Sequence, residues 1–171
     1  MYTMKRVSYL LSLTIAMFSV LHAQSQTGTG KSFTFPSFNI IALDSSKSIS
    51  LKNISQKKPV VFLFFSTTCD HCQREVTGLV KKKDKFQKVQ LVMISMENLA
   101  AIKAFYRDYS LAGISNLVIG KDPAHAGISQ YRFESFPYCA IYKSNHTYIT
   151  SLDKEFDADD IIQELKKAGQ L

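Results

Sequence analysis

The sequence predicts an α/β fold: a three-layer α/β/α sandwich around a mixed central sheet, extended at its N-terminus by a β-hairpin. Three observations lead there. Residues 59–65 (Pro-Val-Val-Phe-Leu-Phe-Phe) and 89–96 (Val-Gln-Leu-Val-Met-Ile-Ser-Met) are apolar runs with the composition of strands buried on both faces. Each is followed by a segment with helical apolar spacing, which calls for parallel β-α-β units with right-handed crossovers. Two later apolar runs are separated by a short turn at Asn145, so the sheet also contains antiparallel strands.

With 171 residues, 46% hydrophobic and 12% aromatic, the chain can bury one good core and builds one main domain. The formal charge is +7, but the lysines are scattered apart from Lys81, Lys82 and Lys83. Three lysines on one helix read as a solvated face, and no nucleic-acid partner is expected.

Lys5 and Arg6 precede a 15-residue run over 7–21 interrupted only by Ser and Thr, and Leu21-His22-Ala23 follows with a small last residue. This is the tripartite pattern of a secretory signal, so residues 1–23 are expected to be cleaved after Ala23. The run is short for a span of about 20 residues, which makes an N-terminal membrane anchor the weaker alternative. No lipid-modified N-terminal cysteine is available, because the first cysteine is Cys69. Residues 24–32, small and polar, read as a flexible leader, and the folded domain is expected over 33–171.

Within that domain, short apolar runs on either side of the turn-like Asp44-Ser45-Ser46-Lys47-Ser48 predict the hairpin. After the strand at 59–65, a helix is expected over 71–86, with Val76, Leu79, Val80 and Phe86 on one face. The strand at 89–96 leads to a helix at 98–109 carrying Leu99, Ile102, Phe105 and Tyr106. A short strand at 117–119, a short helix after Asp122-Pro123, and strands at 135–142 and 146–152 follow. Asp157 to Asp160 then caps a last helix built on Ile161, Ile162 and Leu165.

Ser66-Thr67-Thr68-Cys69-Asp70-His71-Cys72 lies at the junction of the first long strand and its helix. Two thiols in the first turn of a helix close a disulfide at little backbone cost, and the unpaired N–H groups there favour a thiolate. The alternative is a structural disulfide, yet a bridge closing so short a loop removes little unfolded-state entropy. Cys69, first in the helix and more exposed, reads as the nucleophile; Cys72, one turn in, reads as the resolving thiol. Asp70 and His71 are the tuning residues, a cationic His71 favouring the Cys69 thiolate and Asp70 opposing it.

The element order, the Cys-x-x-Cys at a strand-to-helix junction and Phe136-Pro137 some 65 residues downstream resemble the thioredoxin-like fold. The preceding hairpin, the signal sequence, Glu75 three residues after Cys72 and the Asp122, Tyr131, Pro137 run look like the secreted bacterial TlpA/ResA-type thiol-disulfide oxidoreductases. That resemblance, over about 33–171, implies a cis bond before Pro137, which lies against the dithiol, and pairing of a bound substrate chain with the Phe136 backbone. It implies a periplasmic or secreted enzyme, with a reductase favoured over an oxidase, acting on protein thiols and disulfides. It implies no cofactor, and a membrane-embedded thiol as the partner that supplies electrons.

Two positions depart from the family pattern. Related reductases often carry an acid six residues before the first cysteine, where this chain has Leu63, or a glutamate near the resolving thiol. Glu75 is a candidate for the latter, but a solvent-facing or Arg74-paired side chain is the reading that helix surfaces favour. Cys139, two residues beyond Pro137, is read as a buried free cysteine behaving as a small hydrophobe rather than as a third redox thiol. The competing function is a metal-binding module in which Cys69, Cys72 and His125 or His146 hold copper or zinc. A peroxidase is weaker, since Ser66 stands where that family has Thr and the upstream Pro is absent.

Overall fold

The computed structural model describes residues 33–44, 47–55 and 57–171, so the expected signal sequence at 1–23 and leader at 24–32 lie outside the described residues. The strands are β1 (Asn39–Ala42), β2 (Ser48–Ser50), β3 (Val60–Phe64), β4 (Gln90–Ser95), β5 (Leu117–Lys121), β6 (Tyr138–Tyr142) and β7 (Tyr148–Asp153). They form one sheet in the order β2-β1-β5-β4-β3-β6-β7. Strands β3, β4 and β5 are parallel, and β6, β7 and the β1–β2 hairpin join antiparallel. The hairpin attaches through β1 to β5.

The described residues include four α-helices: α1 (Asp70–Lys81), α2 (Leu99–Asp108) and α3 (Ala126–Tyr131) between strands, and α4 (Ala158–Lys167) after β7. The steps from β3 to β4 to β5 run in one direction across the sheet, so crossovers of one hand put α1 and α2 on the same face. The connection from β5 to β6 steps back past β3, and its helix α3 packs on the other face. β3 is therefore the strand at which the order reverses, with β4 next in sequence on one side and β6, reached from β5, on the other. In open α/β sheets the cleft for ligands forms outside the carboxyl end of such a strand.

The alternation of side chains along β3 separates two cores. Val61, Leu63 and Phe65 meet Cys72, Val76 and Leu79 of α1, Ile102 and Phe105 of α2, and Ile161 and Leu165 of α4. Phe62 and Phe64 face the other way, onto Tyr131, Phe133, Tyr138 and Tyr142. Fully burying each such phenylalanine contributes about 1.5–3 kcal/mol. A strap of Phe33 and Phe35 closes this second face, and its Thr34 carbonyl accepts from Tyr142 Oη at 3.1 Å and Gln130 Nε2 at 2.6 Å. With its own hydrogen given to Thr34, the Tyr142 hydroxyl accepts from the Tyr131 hydroxyl at 2.8 Å, so both buried groups are paired.

Several boundaries differ from expectation. The first helix ends at Lys81 rather than 86, because the chain tightens into a 3₁₀ turn at Lys83–Phe86 that buries Phe86 and reverses into β4, with Val89 N donating to the Phe86 carbonyl at 2.8 Å. The strand expected from Ser135 starts at Tyr138, since Pro137 has no N–H to offer a ladder. β5 runs on to Lys121 because it is paired on both sides, by β4 and β1. Among the described residues no helix is long and apolar enough to cross a membrane.

Gly120 is where the hairpin docks. A Cβ there would lie 2.5 Å from the backbone oxygen of Ile41, an atom that cannot move without breaking the β1–β5 pairing. Gly120→Ala is expected to cost about 2–3 kcal/mol, as overpacking does. Urea unfolding measures it, and unchanged stability would mean that the hairpin is not held at this register.

Candidate functional site

Phe65 closes the end of β3 by donating its N–H to the Ile94 carbonyl at 3.0 Å, and the chain then turns through Ser66, Thr67 and Thr68 into Cys69. Cys69 is the N-cap of α1: its backbone is extended, and its sulfur accepts the Cys72 N–H at 3.2 Å. A helix whose cap is a thiol directs its unpaired N–H groups at sulfur. Cys69 is half-buried and Cys72 fully buried; both are free. Burial pushes the Cys72 thiol well above its ordinary range, and its contact with Cys69 adds to the shift.

Pro137 and Phe136 arrive from the start of β6. The Phe136–Pro137 peptide bond is cis, as the resemblance implies, and the Cys69 thiol donates to the Phe136 carbonyl at 3.6 Å. The structure thus brings Cys69, Cys72, Phe136 and Pro137 together at the carboxyl end of β3. Beside them a groove of about 320 Å³ is lined by His71, Ser135, Phe136, Lys154 and Glu155.

Of the tuning pair, His71 stands beside Arg74. Arg74 Nη2 lies 2.8 Å from His71 Nδ1 and can only donate, so Nδ1 carries the lone pair and the ring proton sits on Nε2. Glu155 Oε1 lies 4.0 Å from the same Nδ1. With Nδ1 already an acceptor, that approach is a proximity and not an ion pair. Asp70 is exposed in the first turn of α1.

Glu75 overturns the solvent-facing reading. It is 2% exposed, and both carboxyl oxygens are buried without a hydrogen-bond partner. The cause is α4, whose first turn covers this face of α1: Ala158 Cβ lies 3.5 Å from where a Cβ on Gly78 would stand, and Lys82 pairs with Asp159. Burial, reinforced by the charges of Asp157 and Asp160 and opposed by Lys82, pushes Glu75 up to about 8. It borders a cleft of about 520 Å³ with His71, Arg74, Glu155, Phe156, Asp157 and Asp160. Cys139 pairs with Leu63 across β3 and β6 and is fully buried; burial, then the charge of Glu75, raises its thiol well above the ordinary range.

The histidines of the metal reading lie elsewhere. His146 stacks on Phe35 with ring centroids 3.6 Å apart, its Nε2 3.1 Å from the Ser55 carbonyl oxygen, and His125 precedes α3. Among the described residues no three of His, Cys, Asp and Glu converge as metal ligands. The sequence alone does not single out Glu97, whose carboxylate reaches the Ser66–Thr67 turn from the end of β4. Its one signal is an acid in a βα turn beside the strand that leads into the Cys-x-x-Cys.

A family model described as AhpC/TSA matches residues 32–151. No curated protein matches the chain. Among solved structures, a secreted Mycobacterium tuberculosis disulfide oxidoreductase homologous to Escherichia coli DsbE is similar at 20% identity and a TM-score of 0.63, over 77% of this chain and 96% of that one. A putative thiol:disulfide interchange protein DsbE from Chlorobium tepidum is similar at 15% identity and a TM-score of 0.67, over 81% and 96%. The peroxidoxin BcpB from Mycobacterium tuberculosis is similar at 14% identity and a TM-score of 0.67, over 81% and 97%. At these identities the likeness is one of fold, and the fold is thioredoxin-like.

The raised Glu75 ties stability to pH. A carboxyl at about 8 in the folded chain against an ordinary 4.5 holds its proton more tightly folded than unfolded, so its contribution is complete below about 4.5 and is lost as pH rises through about 8. Glu75→Gln, which cannot ionise, should match the parent chain near pH 4.5 and exceed its stability by about 5 kcal/mol well above pH 8. Urea unfolding across that range checks it; a pH-independent difference would mean that Glu75 is solvated.

Proposed function

Because the chain belongs to the AhpC/TSA family, we propose that it is an exported thiol-disulfide oxidoreductase of the TlpA/ResA type that reduces disulfides in other proteins. The observation that carries this reading is the unequal pair: a half-buried Cys69 at the helix cap, against the Phe136 carbonyl, and a fully buried Cys72 behind it.

In the proposed cycle the Cys69 thiolate attacks one sulfur of a client disulfide, forming a mixed disulfide and releasing one client thiolate. The client segment lies in the groove by His71 and Phe136, pairing with the Phe136 backbone beside Pro137. Cys72 then gives up its proton and attacks Cys69 Sγ. This breaks the mixed disulfide, releases the second client thiolate and leaves a Cys69–Cys72 disulfide. The client has gained two electrons, which an external thiol donor, membrane-embedded in this reading, returns to the pair.

Cys72 needs a base, because burial opposes its thiolate. Glu75, one helical turn on and itself buried, is the group we assign to take that proton. At about 8 it exchanges a proton near neutral pH. A buried resolving thiol that resists ionisation does not stabilise the reduced pair, which supports a reducing poise. Export rests on the basic, apolar and small-residue pattern of residues 1–23. The peroxidase alternative gains nothing from Ser66, whose hydroxyl is 2.6 Å from Glu97.

Cys72→Ser should trap a mixed disulfide with client proteins in cells, whereas Cys69→Ser should trap none. The pair should have a reduction potential near that of thioredoxin, about −270 mV, rather than near that of DsbA, about −120 mV. Failure of Cys72→Ser to trap any client would sink the exchange mechanism, and a potential near the second value would reverse the direction.

A further inference from the structure

We infer that Glu97 is a positioning residue for thiol exchange: its carboxylate holds the turn that delivers Cys69. Oε1 accepts from Ser66 Oγ at 2.6 Å and from the Thr67 backbone N–H at 3.1 Å, and Oε2 accepts from the Thr67 hydroxyl. Three donors of the turn before the nucleophile thus converge on one side chain some thirty positions along the chain. Hydrogen bonds to an ionised acceptor are shorter and stronger than neutral ones, so this is a rigid clamp.

Glu97 is itself held. Its N–H donates at 3.2 Å to the hydroxyl of Ser95, a buried residue at the end of β4 whose carbonyl accepts from Asp122 N–H at 2.8 Å. The ends of β4 and β5 thereby hold the backbone of Glu97, and its carboxylate holds the turn that leaves β3. From the helix side, Gln73 Nε2 donates to the Thr67 carbonyl at 3.1 Å. Within the turn, Cys69 N–H reaches the Ser66 carbonyl at 3.4 Å, so a displacement of Ser66 is passed directly to the cysteine. Cys69 has two contacts to keep at once, the Cys72 N–H and the Phe136 carbonyl, and these come from different elements. A turn free to shift would satisfy one at the expense of the other. The carboxylate also places a negative charge near a sulfur that must react as an anion, so its benefit is one of position and not of charge.

The inference rests on Cys69 being the attacking thiol, and the test separates the two. The reduced chain is mixed with oxidised glutathione and the second-order rate constant for Cys69 is measured well below the melting temperature, with the thermal midpoint recorded for each variant. Glu97→Ala should react about tenfold more slowly, the scale of loss when a reacting group is held slightly out of line. Glu97→Gln, which keeps one acceptor oxygen for the Ser66 and Thr67 donors and folds if the alanine variant does not, should fall between. A lower midpoint with an unchanged rate in both variants would make Glu97 a structural staple only and overturn the inference. Faster reaction in both would overturn it too, since the charge would then outweigh the position. If Cys69→Ser reacts as fast as the parent chain, the failure lies with Cys69 as nucleophile.

Discussion

The bond from the Cys72 N–H to the Cys69 sulfur is the contact on which the site depends. Most helices begin with an oxygen in that place; here the capping group is the reactive one. The same geometry ends the turn, starts α1, exposes one thiol and sends the other inward. It also requires that the strand before it be immovable. β3 meets that requirement because it is buried on both faces and paired on both edges, by β4 and β6. The two cores, one aliphatic under the helices and one aromatic under the strap, hold it from opposite sides.

What surrounds the cap comes from distant parts of the chain. Phe136 and Pro137 enter from β6, Glu97 from β4, and the lid over Glu75 from α4. The surroundings of Cys69 are thus set by three elements that share only the carboxyl end of the sheet and the helix packed beside it. This is the usual economy of open α/β sheets, in which loops of different origin converge at the point where the strand order turns back.

Features that depend on neighbouring residues alone are legible in the sequence. The run at 59–65 has the composition of a doubly buried strand, the Cys-x-x-Cys falls at its end, and Asp157 to Asp160 announces a cap that the structure realises as a reciprocal capping box. The helix expected from residue 98 begins at Leu99, with the Asn98 side chain as its cap. Glu75 is misread from sequence because its helix, taken alone, presents that position to solvent; only α4, some eighty residues later, covers it. Glu97 escapes for a similar reason, since its partners lie about thirty residues back and no periodicity marks them. The attachment of the hairpin to β5 depends on Gly120 leaving room for the Ile41 carbonyl, a steric fact that neither segment states by itself.

The capping box of α4 links two properties usually treated separately. Asp157 and Asp160 hold the first turn of that helix, each side chain accepting the other's backbone N–H, and the same two charges add to the burial that keeps the proton on Glu75. A substitution that improves or weakens the cap also alters the proton affinity of an acid buried under it. Positions 157 and 160 should therefore show epistasis with position 75.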